Sequence, residues 1–64
     1  MKQVYVVRKN GRRMGAFADP EAAIGYVADE TGFSRENVAG WTRGNKGFAD
    51  DMGWFWTIDL EEDE

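Results

Sequence analysis

An α+β domain with the element order ββααβ is the fold this sequence predicts, and three observations carry the prediction. Asn10-Gly11 stands between two runs of β-prone residues, the strongest short-range signal for a hairpin. Two stretches with helix start and stop residues are joined by Gly32-Phe33-Ser34, which is the outline of a helix-turn-helix. An aromatic run, Trp54-Phe55-Trp56, then opens a closing strand that alternates between two faces.

Each element follows from local chemistry. Residues 3–9 are rich in Val and Tyr and read as a strand. Asn and Gly supply the two positive-φ positions of a type I′ turn, so Arg12 to Ala18 should pair back onto that strand. A two-residue loop sets Lys9 opposite Arg12, Arg8 opposite Arg13, Val7 opposite Met14 and Val4 opposite Phe17. Asp19-Pro20-Glu21 combines an N-cap, a Pro at the first helical position and an acid in the first turn. The first helix should run to Thr31 and stop at Gly32, with Ala23, Ile24, Val27 and Thr31 as its buried stripe. Gly25 inside it lowers helix stability by about 1 kcal/mol relative to Ala and points to a close contact. Ser34 caps a second helix from Arg35 to Arg43, whose inner side is Val38, Trp41 and Thr42. Residues 45–53 read as a polar loop, and 54–60 as the last strand, with Trp54, Trp56 and Ile58 on one face.

Composition narrows the function. With 64 residues, about 40% of the unfolded chain's surface stays in water after folding, too little burial for a deep catalytic chamber. The chain has no Cys and no His, which removes disulfides, thiolate nucleophiles, and the commonest general base and metal ligand. Asp50-Asp51 is an adjacent acid pair without further ligands, so no metal site is assigned, and no cofactor or catalytic residue either. No apolar run approaches the ~20 residues of a membrane span, and no signal-peptide pattern is present. The expectation is a cytoplasmic, non-enzymatic binding protein.

The charge is unevenly placed. The formal net charge is −4, yet five acids lie in the last six residues (Asp59, Glu61, Glu62, Asp63 and Glu64). Residues 1–58 carry a net +1, and the first thirteen hold Lys2, Arg8, Lys9, Arg12 and Arg13 without an acid. The reading is one compact domain over residues 1–60 with a disordered acidic tail at 61–64. Such a tail can simply solvate the chain, compete with DNA for the cations, or engage a basic site on another protein. The cationic hairpin tip has two readings as well: a guard against edge-to-edge aggregation or a phosphate contact. Trp54 and Trp56 are read as core, the other reading being a base-stacking platform.

The ordered set Val4-Tyr5-Val6, Asn10-Gly11, Phe17, Glu21-Ala22-Ala23, Gly32-Phe33-Ser34, Val38, Gly44-Asn45-Lys46 and Gly53-Trp54-Phe55-Trp56 resembles a known family. It is the nuclease-associated modular DNA-binding domain, a helix-turn-helix module appended to phage and homing endonucleases. The chain departs from that pattern in a longer first helix, in Gly40-Trp41 where a polar stretch is usual, and in the acidic terminus. The resemblance implies a stand-alone, phage-like small protein that binds double-stranded DNA. The second helix would lie at the major groove, with Arg35 and Asn37 reaching base edges. Arg43, Lys46 and the hairpin cations Arg8, Lys9, Arg12 and Arg13 would neutralise phosphates. The alternative is an acidic effector that binds and inhibits a host protein through its tail or an exposed sheet face. Neither reading sets an oligomeric state.

Overall fold

The computed structural model describes residues 2–63. Two strands are followed by two helices and two further strands: β1 (Lys2–Lys9), β2 (Arg12–Phe17), α1 (Pro20–Thr31), α2 (Arg35–Thr42), β3 (Gly47–Ala49) and β4 (Phe55–Asp63). The strands form one antiparallel sheet in the order β2-β1-β4-β3. This is the α+β class the sequence predicts, with one more strand than the ββααβ order.

The local signals act as read. Asn10 and Gly11 take φ of 52° and 82°, the left-handed pair a type I′ turn needs. The Asp19 carboxylate accepts the Ala22 N–H at 2.9 Å, and Pro20 is the first residue of α1. Gly32, at φ 81°, donates its N–H to the Ala28 carbonyl at 2.8 Å and ends the helix. The Ser34 hydroxyl accepts the Asn37 N–H at 3.1 Å and starts α2. That helix stops one residue earlier than expected, at Thr42, and Arg43–Asn45 form a single 3₁₀ turn with Gly44 left-handed.

Three expectations are corrected, all on long-range pairing. The β1–β2 register holds for Lys9–Arg12 and Arg8–Arg13, then slips: Val7 meets Gly15, Val6 meets Ala16 and Tyr5 meets Phe17. Met14 is the extra residue of a β-bulge, which shifts every later side chain of β2 to the opposite face. Phe17 thereby turns to the helix side, where its ring packs 5.5 Å from Tyr26 and fills the space above Gly15. Secondly, the loop read at 45–53 contains β3, which pairs Phe48 with Trp56. Thirdly, residues 61–63 belong to β4 and pair along β1 down to Lys2. Glu64 lies outside the described residues.

Both helices cover one face of the sheet. Trp56, Val7 and Ile58 from the strands pack there with Ala23, Val27, Ala28 and Val38. Trp56 is 1% exposed and is the largest fully buried side chain. Phe33, Trp41 and Phe48 add an aromatic cluster beside it, with centroids 5.1 to 5.9 Å apart. The other face has no helix over it. Its apolar centre, Val4 and Val6, is buried all the same, Val6 to 1% exposure. Arg8 stands on the same face and pairs with Asp59 and Glu61, the cross-strand neighbours of Val6 and Val4. Along β1, Val6 lies between Arg8 and the position opposite Glu61, so an Arg8 side chain that reaches back to the acids runs its aliphatic stem toward Val6.

Candidate binding surface

The structure distributes the eight predicted contact residues over several places. Arg8 is engaged on the open sheet face, 3.4 Å from Asp59 and in closer contact with Glu61. Its hydrogen bond to Glu61 raises the guanidinium above its usual range, and the same bond holds the Glu61 carboxyl below the ordinary carboxylate range. Lys9 points to the other face, with Nζ 4.5 Å from the Trp54 ring centroid and 5.4 Å from that of Trp56. Arg12 and Arg13 are exposed. They stand opposite Lys9 and Arg8 and so occupy opposite faces of the ribbon.

The helix-borne residues lie elsewhere. Arg35 is exposed, but its guanidinium rests against α1: a Cβ built on Gly25 would stand 3.1 Å from Nη2. That is the close contact Gly25 signals, and it draws Arg35 toward α1. Asn37 is exposed, with its backbone N–H occupied by the Ser34 cap. Arg43 lines a cleft with Tyr5 and Leu60, which pair in the middle of the β1–β4 ladder. From Tyr5 to the hairpin tip at Lys9 is about 13 Å of strand. Lys46 is exposed in the extended link before β3. Lys9, Arg12 and Arg13 therefore share the hairpin end, and Arg43 stands away from them.

What gathers at the hairpin end besides cations was missed in the sequence. Asn10 exchanges two hydrogen bonds with Phe55: its N–H donates to the Phe55 carbonyl at 2.6 Å, and its Oδ1 accepts the Phe55 N–H at 2.8 Å. The hairpin tip is thus tied to the start of β4. The loop between β3 and β4 is organised by Asp50. Its Oδ1 accepts the N–H groups of Met52 and Trp54, both at 2.9 Å, and its Oδ2 accepts Trp56 Nε1–H at 2.8 Å. The indole bond is the main reason the Asp50 carboxyl is held below its usual range, with the two backbone N–H groups adding to it. Gly53, at φ 85°, donates its N–H to the Asp50 carbonyl at 3.0 Å. Asp at the first position of a turn and Gly at the fourth is a type I signal that could have been read from residues 50–53. Asp50 is spent on the loop, and among the described residues no group of three or more Asp or Glu is placed to hold a metal ion.

The loop lifts apolar side chains into solvent. Met52 is 81% exposed, Phe55 48% and Trp54 43%. Phe55 lies over Gly47 on the open face, where a Cβ would meet its ring at 2.8 Å. Trp56 is core as read, whereas Trp54 is largely outside it. Among the described residues no helix is long and apolar enough to cross a membrane. In comparison with known proteins, no family model matches the chain, and no curated protein or solved structure gives a significant match.

Proposed function

We propose that this chain is a small non-enzymatic binding module that docks on a protein partner through its hairpin end. The observation that carries this reading is exposed apolar surface at the cationic hairpin end: Lys9 lies against Trp54 on one face, Phe55 is tied to Asn10 on the other, Met52 is exposed in the adjoining loop, and Arg12 and Arg13 stand one on each face. Aromatic residues, Met and Arg are the types enriched where proteins bind one another, and a few such anchors carry most of the binding energy. Asp50 and Asn10 hold the loop and the turn through backbone hydrogen bonds, so less ordering is needed on binding. A cytoplasmic setting and a phage-type effector role go with this proposal. The effector reading placed Glu61 on a free tail, whereas Glu61 pairs with Arg8 on the sheet, as does Asp59 of the same strand.

DNA binding is the second reading, favoured by the Ser34-capped α2 that follows Gly32 and leaves Glu36, Asn37 and Gly40 exposed. Arg12 and Arg13 at the tip would supply its phosphate contacts. Against it stands the dispersal of the other cations.

One pair of experiments tests the two. A protein retained by the immobilised chain at physiological salt should be lost from the Met52→Ser, Trp54→Ser variant while the melting temperature stays within a few degrees. Equal retention by both overturns the docking proposal. In a mobility shift on mixed-sequence duplex, the DNA reading expects affinity to fall with salt at a log–log slope of about −0.9 per phosphate contact, and Arg12→Glu with Arg13→Glu to abolish the shift.

A further inference from the structure

The cleft on the helix side of the middle of the β1–β4 ladder shares no lining residue with the hairpin surface. It has a volume of about 300 Å³ and runs between the start of α1, the end of α2 and the sheet, which is the lower size limit for small-ligand sites. Ile58 forms its buried floor. Tyr5, Ile24, Ala39 and Leu60 make apolar walls that are half-buried or exposed, and Arg43 is the charged residue of the lining. Leu60 is 44% exposed there, so the walls present apolar surface that the fold leaves uncovered. The Thr42 hydroxyl, also in the lining, already donates to the Val38 carbonyl at 2.8 Å.

We infer that this cleft takes a small apolar monocarboxylate, its hydrocarbon body between the two helices and its carboxylate on the Arg43 guanidinium. Charge complementarity selects the occupant. The lining carries one cation and no acid, and a guanidinium offers paired donors that match a carboxylate. The surroundings limit the ligand to a single negative charge. Glu21 follows the lining residue Pro20, and Glu62 stands two residues beyond the lining residue Leu60; both are exposed acids. A second carboxylate on the ligand would meet like charge there. The salt bridges among the described residues are both made by Arg8, and none of them involves Arg43.

The test uses octanoate, octanol and octanedioate as probes, titrated into the full chain and followed by the NMR shifts of Ala39, Ile58 and Leu60. Octanoate should bind saturably, at roughly millimolar concentration for a ligand of this size. Octanol and octanedioate should each bind more weakly. Arg43→Gln, a change at an exposed position, should weaken octanoate by about tenfold, the loss of one charge-assisted contact, and leave octanol unchanged. Shifts that do not saturate, octanol binding as tightly as octanoate, or an Arg43→Gln variant with undiminished octanoate affinity would each overturn the assignment. None of these outcomes touches the hairpin-end proposal, because Met52 and Trp54 are not part of the cleft lining.

Discussion

The two faces of the sheet are buried by different means. On the helix side, Trp56, Val7 and Ile58 are covered by whole elements, and the stabilisation is the burial of large apolar area. On the open side no helix lies over Val4 and Val6, and the long Arg8 side chain on that face is held by Asp59 and Glu61. A core roofed by helices is insensitive to salt and pH, whereas a core roofed by an ion pair depends on both. A 64-residue chain has too few elements to cover both faces of a four-stranded sheet, and the charged residues of β1 and β4 do the second job.

That contrast can be broken at its strong side first. Trp56→Ala should lower the unfolding free energy by about 3–5 kcal/mol, the range for emptying a large aromatic site, and urea denaturation will measure it. The loss also removes the indole that holds Asp50, so the β3–β4 loop should show faster amide exchange. On the open side Gly47→Ala comes next. A Cβ there would stand 2.5 Å from the Trp56 carbonyl oxygen and 2.8 Å from the Phe55 ring. Backbone shift in a packed site costs about 1–3 kcal/mol, readable in the same denaturation experiment. Ser34→Ala and Asp19→Ala act on the helix layer alone, each costing about 1 kcal/mol, and should show as small decreases in melting temperature.

Acid sharpens the comparison with the smallest effects. Glu61 and Asp50 both have folded-state pKa values below their ordinary ones. Their stabilisation is therefore complete above the usual carboxylate range and is lost as pH falls through it toward the depressed folded values. The raised pKa of Arg8 acts in the opposite sense, with stabilisation lost only as pH rises through the strongly alkaline range. Arg8→Met should remove the Glu61 part of the acid dependence and the salt dependence, leaving the Asp50 part. Trp56→Phe, which keeps a ring but deletes the N–H donor, should weaken the Asp50 part, its two backbone N–H bonds remaining, and leave the Glu61 part. Melting curves between neutral pH and pH ~3, at low and high salt, separate the two. If Arg8→Met leaves the acid profile unchanged, the ion pair does not roof the open face.

How much of this was legible varies residue by residue. Asn10-Gly11 was read as the turn, and its φ angles agree; that Asn10 would also bond Phe55 could not be read, since the two are 45 residues apart in the chain. Gly25 announced a close neighbour without naming Arg35. The hairpin cations were legible as a group, but the acids of β4 decided that Arg8 is paired on the open face. Trp54 and Trp56 looked alike by alternation. Only the Asp50 loop makes one of them core and leaves the other beneath Lys9.

By itself the sequence determined the turn of the first hairpin, both ends of the first helix and the start of the second. Those signals act within four or five residues, through positive φ, missing donors and side-chain caps. The tertiary structure alone decided the slipped β1–β2 register, the short β3, and the ordering of residues 61–63 as strand. Each depends on pairings between distant segments. A run of acids has no strand propensity of its own, and it becomes one where backbone partners and the Arg8 cation are already in place.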